Sequence, residues 1–397
     1  MEKAITTAKF LSHRISQVLP SPTIALNAKA QALAAEGKKI LNFTVGEPDY
    51  PTPPIIVDKA IESLKLGRTK YGKAGGSPQL LTVIQNKLSK ENQLDFLANE
   101  IVCGIGAKEI LFHLYLSLLN DGDEVLLTAP FWVSYSDQIK AAGGEPICVP
   151  FAMNSTGKYS LEIDQLEKFA SSKTKVIVVN SPNNPSGYVM NESQLRELGD
   201  YLLTKDWWII SDEIYEYMTF DHPHVSLLNL FPTLRDRFIY VNGLSKSFAM
   251  TGWRVGYMAG PKEVASMVRN LQSHSSTCIP PFIEDAAILA LKSGKDLMTD
   301  EIADLKLRRD FVVESFAGKI PFIKPEGAFY IFLDVRRYLK EDETTVLMCE
   351  KILESCLVAL VPGEAFGTPG FVRFSYTQPR EVIGEGIQRI LKYLVTI

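Results

Sequence analysis

Along most of this chain, short runs of β-branched and aromatic residues alternate with longer stretches in which apolar residues return every three or four positions. The first pattern suits strands and the second amphipathic helices. The spacing predicts strands at Ile101–Ile105, Glu124–Thr128, Lys175–Asn180, Trp207–Ser211, Phe238–Asn242 and Val255–Ala259. Between or before them it predicts helices near Ile55–Leu66, Gln79–Glu91, Ala107–Leu119, Phe131–Ala142, Glu192–Thr204 and Lys262–Ser273. Alternation of this kind implies an α/β architecture around a mostly parallel sheet flanked by helices. Val176-Ile-Val-Val179 is apolar without interruption, as a strand covered on both faces must be.

The last hundred residues change character. A long charged helix over about Leu297–Phe316 leads into Gly327-Ala-Phe-Tyr-Ile-Phe-Leu333, a helix near Thr345–Ser355 and a strand at Phe371–Tyr376. This reads as a smaller α+β domain over 296–397, following a large domain over 46–295. The segment 1–45 contains a helix through Ala28–Glu36 and is expected to pack back on the smaller domain. A length of 397 residues agrees with more than one core.

Composition narrows the class. Hydrophobic residues make up 46% and charged residues 22%, the balance of a globular chain. The net charge is −4 and no run of Lys or Arg stands out, which argues against a nucleic-acid partner. No apolar run approaches the roughly 20 residues that cross a bilayer, so no membrane partner is expected. The start, Met1-Glu-Lys-Ala-Ile-Thr, does not read as a signal peptide, and the expected location is the cytoplasm. Cys103, Cys148, Cys278, Cys349 and Cys356 form an odd set with no Cys-x-x-Cys, so neither a disulfide framework nor a metal site is indicated.

In an open parallel sheet, ligands bind beyond the carboxyl ends of the strands. The unusual residues fall there: Asn180-Ser-Pro-Asn-Asn-Pro-Ser-Gly187 after one strand, Ser211-Asp-Glu-Ile-Tyr215 after the next, and Asn242-Gly-Leu-Ser-Lys246 after the third. Each alone has a plainer reading. An Asn-Pro loop is often only a turn, an Asp at a strand end often a helix cap, and a single Lys usually a solvated charge. Their succession on consecutive strand ends is harder to ascribe to chance. A dinucleotide fold is disfavoured, because Gly104-Ile-Gly106 is followed by Glu109 where the third fingerprint glycine would stand.

These segments, with Val45-Gly-Glu-Pro-Asp49, Tyr71-Gly-Lys-Ala-Gly75, Gly106-Ala-Lys108, Pro130-Phe-Trp-Val-Ser-Tyr135, Met250-Thr-Gly-Trp-Arg-Val-Gly256 and Val372-Arg-Phe-Ser375, resemble the class I, fold-type-I aminotransferases dependent on pyridoxal 5'-phosphate (PLP). Within that family the chain looks most like the bacterial aspartate aminotransferases, over nearly its whole length. The resemblance implies a large domain with a seven-stranded type of sheet and a homodimer with shared active sites. Lys246 would carry the cofactor as a Schiff base and shuttle protons. Asp212 would keep the pyridine nitrogen protonated. Tyr215 and Asn184 would bond the ring's 3-oxygen, and Trp132 would stack on the ring.

Gly106, Ala107 and Lys108 would open a helix toward the phosphate, joined by Arg254 and by Tyr71 from the partner subunit. Relatives often carry serine three residues before the lysine. Here Gly243 stands there, and Ser245 is the candidate substitute. Arg373 would grip the substrate's α-carboxylate, with Gly46 close by. For the distal group, the subgroup this chain resembles implies Lys108 and Thr23, which favours aspartate or glutamate exchanging with 2-oxo acids by a ping-pong mechanism. A prephenate or aromatic substrate, or a lyase on the same fold, stays open as the alternative.

Overall fold

In the strand Thr174–Asn180, Val176 and Val178 enter one core, while Ile177 and Val179 enter another on the opposite face. That two-sided burial explains its unbroken apolar run. The computed structural model describes residues 12–18, 22–153 and 159–395. Its larger sheet contains β1 (Ile101–Ile105), β2 (Glu124–Thr128), β3 (Glu145–Val149), β4 (Thr174–Asn180), β5 (Trp208–Asp212), β6 (Phe238–Gly243) and β7 (Val255–Ala259). Their spatial order is β1-β7-β6-β5-β4-β2-β3. All neighbours pair in parallel except β7, which is antiparallel to both β1 and β6. The link from Leu244 to Arg254 is too short for the crossover that a parallel return needs.

The mostly parallel seven-stranded sheet is the one expected, but several elements depart from the sequence pattern. Strand β3 is a half-exposed edge that includes Pro146, and it has no alternation to read. Helices Pro281–Ser293 and Arg380–Val395 also go beyond the expected set. The helix expected from Phe131 begins only at Ser134, and the Phe131 N–H donates to the Phe366 carbonyl (3.2 Å).

A second, antiparallel sheet holds β8 (Phe322–Ile323), β9 (Tyr330–Asp334), β10 (Val361–Pro362) and β11 (Phe371–Ser375) in the order β8-β9-β11-β10. Strand β9 starts three residues later than the apolar run. The Gly327 and Ala328 N–H groups instead reach back to the carbonyls of Gly187 and Met218, both at 2.8 Å. These contacts tie the second sheet to the loops after β4 and β5. Leu41 and Phe43 share a core with Tyr330, Val372 and Phe374, and Leu41–Asn42 pairs in parallel with Val358–Ala359. Among the described residues, no helix is long and apolar enough to cross a membrane.

Candidate active site

The carboxyl ends of β4, β5 and β6 open on a cavity of about 430 Å3, closed on another side by β9, β11 and the Gly46 loop. Asp212 ends β5 inside it, 4% exposed. The Tyr135 hydroxyl donates to its Oδ2 (2.6 Å) and the Ile214 N–H to its Oδ1 (3.2 Å). Burial outweighs both bonds and, with the charge of Glu213, pushes the carboxyl up to about 6. Lys246 lies one helical turn past β6, and its Nζ donates to the Gly46 carbonyl (2.6 Å). Burial, with Arg254, Arg373 and Lys108 opposing Glu47, brings its amine down to about 8.

A cationic corner forms where helix Ala107–Leu118 begins. Its cap, Gly106, has no side chain to accept from the first turn; the Glu109 N–H donates to the Gly106 carbonyl (3.1 Å), while Ala107 and Lys108 line the cavity. Close approach here is demanded by packing. A Cβ on Gly106 would stand 2.4 Å from Arg254 Nη2, and one on Gly256 of β7 would stand 2.1 Å from the Ala107 nitrogen. Arg254 adopts the left-handed backbone region (φ 60°) and donates to the Thr251 carbonyl at 2.9 Å. Lys108 Nζ lies 5.0 Å from the centre of the Trp132 ring, which also lines the cavity. Burial and the nearby Arg254 lower the Lys108 amine.

A further cation comes from the second sheet. Arg373 of β11 is buried, donating from Nη1 to Asn184 Oδ1 (3.0 Å) and from Nη2 to the Thr44 carbonyl (2.6 Å). Its guanidinium rests over the rings of Tyr330 (4.6 Å) and Phe366 (5.1 Å). Its Nε is buried with no hydrogen-bond acceptor among the described residues. The Tyr215 and Tyr330 hydroxyls meet at 3.0 Å, and Asn184 Nδ2 donates to both at 3.4 and 3.5 Å. One amide thus joins the two tyrosines to the arginine.

The cavity therefore collects Gly46, Ala107, Lys108, Trp132, Asn184, Asp212, Tyr215, Ser245, Lys246, Arg254 and Arg373, with Gly106 behind Arg254. Gly243 is not on its wall. A Cβ there would meet the Val255 carbonyl at 2.8 Å, so the β6–β7 pairing itself asks for glycine, while Ser245 faces the cavity. Tyr71 is not brought to the cavity and is 88% exposed. Thr23 stands in the first turn of helix Pro22–Ala35, but its side chain lies outside the described residues. Tyr135, Asn180, Thr251 and Tyr330 were not singled out in the sequence. For Tyr330, the Gly-Ala-Phe-Tyr run was visible but read as strand. For Tyr135, nothing local marked its bond to Asp212.

These residues suit PLP. A buried carboxyl held near 6 gains from a pyridinium N–H, a helix start beside an arginine suits a phosphate, and a low-pKa amine is suited to a carbonyl.

Comparison with known proteins agrees. Residues 38–390 match the family Aminotransferase class I and II. The probable aspartate/prephenate aminotransferase of Aquifex aeolicus is 41% identical over 98% of this chain and 100% of its own. The aspartate/prephenate aminotransferase of Nitrosomonas europaea is 38% identical over 97% and 99%. Among solved structures, the aspartate aminotransferase from Thermus thermophilus with maleate superimposes with a TM-score of 0.90 at 33% identity, covering 96% of this chain and 99% of that one. This chain belongs to the class I and II aminotransferases, a family that uses PLP, and is similar to the bacterial aspartate aminotransferases.

Proposed function

We propose that this chain holds PLP in the cavity and moves an amino group between an acidic amino acid, aspartate or glutamate, and a 2-oxo acid. The observation that carries the reading is the placement of Lys108, Arg254 and Arg373 around Lys246 in one cavity with Asp212. Two of these cations exceed what a phosphate alone needs, and they suit a substrate with two carboxylates. The similar Thermus enzyme is described with maleate, itself a dicarboxylate.

Asp212 pairs with the pyridine nitrogen, Trp132 covers the ring, and Asn184 with Tyr215 bonds its 3-oxygen. The first-turn N–H groups after Gly106, Ser245 and Arg254 hold the phosphate, and Tyr71 joins them from a second copy in a homodimer. Arg373 takes the α-carboxylate, which approaches closely because Gly46 has no side chain. Bound PLP supplies an electron sink for the Cα–H bond. Lys246, its amine partly neutral near pH 8, would take the proton from Cα and deliver it to the cofactor carbon that had carried the aldehyde. Lys108, with Thr23, meets the distal carboxylate.

The test is Lys108→Ala. It is expected to lower kcat/KM for aspartate and glutamate roughly 30- to 150-fold more than for an apolar amino acid. A uniform loss across all substrates would assign Lys108 to the phosphate and remove the acidic preference. A second reading, that prephenate is also accepted, is favoured by the names of the Aquifex and Nitrosomonas relatives. Prephenate carries two carboxylates, so the same cations serve both. Half-reactions with phenylalanine-type and acidic donors, then prephenate as acceptor, separate the readings.

A further inference from the structure

Helix Thr299–Phe316 supplies no wall of the cavity, yet Arg308 near its middle touches two segments that do. Its Nη1 donates to Asp49 Oδ1 (2.9 Å), to the Gln378 carbonyl (3.0 Å) and to the Thr377 carbonyl. Its Nη2 pairs with Asp304, one turn back on the same helix, at 2.6 Å. The side chain is only 13% exposed, so these contacts are shielded from water. Asp49 lies three residues past Gly46 on the same loop, and Thr377 and Gln378 follow β11, which carries Arg373.

The loop between Thr44 and Asp49 is held at four points, one of them the Thr251 hydroxyl donating to Glu47 Oε2 (2.9 Å). Arg373 Nη2 holds its start through the Thr44 carbonyl (2.6 Å), and Lys246 holds its middle through the Gly46 carbonyl (2.6 Å). Arg308 holds its end, and the same guanidinium holds the chain just past Arg373. Two of these four contacts come from side chains that the reaction itself must use. When Arg373 or Lys246 turns to a substrate, the contacts of Thr251 with Glu47 and of Arg308 with Asp49 are left, and Arg308 is the one of the two that also grips the chain just past Arg373.

We propose that Arg308 is a positioning residue for α-carboxylate recognition, a strut that sets the distance between the Gly46 loop and Arg373. The inference rests on reading Arg373 and Gly46 as the α-carboxylate site. A planar fork of donors can serve a carboxylate and two carbonyls at once, which a lysine ammonium cannot match in geometry. A displacement of about 1 Å at a positioning contact can cost up to roughly 100-fold in rate or affinity.

The experiment uses the PLP-loaded enzyme, with maleate as an unreactive carboxylate probe and aspartate as substrate. Arg308→Gln and Asp49→Asn are each expected to weaken maleate binding about ten-fold, and the double variant no further than the worse single one. Arg308→Lys should recover only part of the loss. KM for aspartate rises in parallel, while kcat at saturation stays within about two-fold and cofactor retention is unchanged. Wild-type maleate affinity in Arg308→Gln, together with loss of affinity in Arg373→Lys, overturns the strut. So does a fall in kcat matching the rise in KM, because that pattern belongs to a general structural role. If Arg373→Lys keeps its maleate affinity, the carboxylate reading fails instead. Should Arg308→Gln not fold, Asp49→Asn decides alone, since it leaves the helix intact.

Discussion

Two lysines of this chain are withdrawn from bulk water, and their surroundings differ in kind. Lys87 is met by Glu216, by Asn92 Oδ1 at 2.7 Å and by the rings of Tyr217 and Tyr240. Around Glu216, the Tyr240 hydroxyl donates at 2.8 Å and Asn92 Nδ2 at 2.5 Å. Burial raises the Glu216 carboxyl, but Lys87, His224 and these bonds pull it below the usual carboxylate range. Lys246 has the Gly46 carbonyl and the Phe329 ring (5.9 Å) beside it; Glu47 favours its charge at a distance, while Arg254, Arg373 and Lys108 all oppose it. The carboxylates mirror this, with Glu216 matched and lowered while Asp212 is raised to about 6. Matched burial holds the fold together; unmatched burial leaves capacity for a ligand and marks the site.

The largest expected effect breaks the unmatched side. Lys246→Ala should lower transamination on the order of 10,000-fold, the scale of losing a proton shuttle and a nucleophile together. It should leave the fold intact and the cofactor weakly held. Because the native amine is held near 8, below its ordinary 10.5, charging it costs native stability as pH falls through that window. The cofactor-free variant is therefore expected to melt higher than its parent below pH 8, which calorimetry can read.

Lys87→Ala makes the reverse exchange. Removing one partner of a buried pair leaves Glu216 uncompensated, which should cost about 3–5 kcal/mol in denaturant unfolding. Turnover per folded molecule should stay within a few-fold of the parent, since no atom of Lys87 reaches the cavity. If its turnover instead falls as that of Lys246→Ala does, matched burial is not a purely structural sign.

Asp212→Asn sharpens the carboxylate half of the comparison. The native group binds its proton up to about pH 6, against 3.8 ordinarily, so the stability it withholds grows as pH rises through that window. Above pH 6 the cofactor-free variant should gain about 2–3 kcal/mol, a difference that vanishes toward pH 4. The same change should depress turnover strongly, because a neutral amide cannot keep the pyridine nitrogen protonated. Stability and activity moving in opposite directions is the signature sought.

Gly243→Ser is the smallest of these changes. It installs the serine that the family resemblance implies at this position, but its Cβ would crowd the Val255 carbonyl at 2.8 Å. We expect a loss of about 1–3 kcal/mol in stability and no gain in phosphate retention. Tighter cofactor binding in that variant would show that Ser245 does not fill the role.

Much of this arrangement was legible in the residue order. The apolar run at Val176–Val179, the loops after β4, β5 and β6, and the glycine before Ala107 all act locally, through backbone geometry and strand-by-strand burial. So Asp212, Asn184, Lys246 and Arg254 could be placed at strand ends from the sequence, and Arg373 on its strand. Strand β3 and helix Pro281–Ser293 were less visible, since edge exposure or apolar residues on most sides weaken periodicity. Helix Arg380–Val395 does carry a legible stripe, Ile383, Ile387, Ile390 and Leu394, buried on one face. What tertiary structure alone decided is which charges meet. Lys87 and Lys246 look alike in a sequence, and Tyr135 and Tyr330 look like ordinary core aromatics. Whether a buried group finds a partner depends on residues more than a hundred positions away, such as Glu216 for Lys87 or Tyr330 for Asn184. The packing of helices, loops and strands that brings them within 3 or 4 Å has no local signature, because it is set by the whole chain.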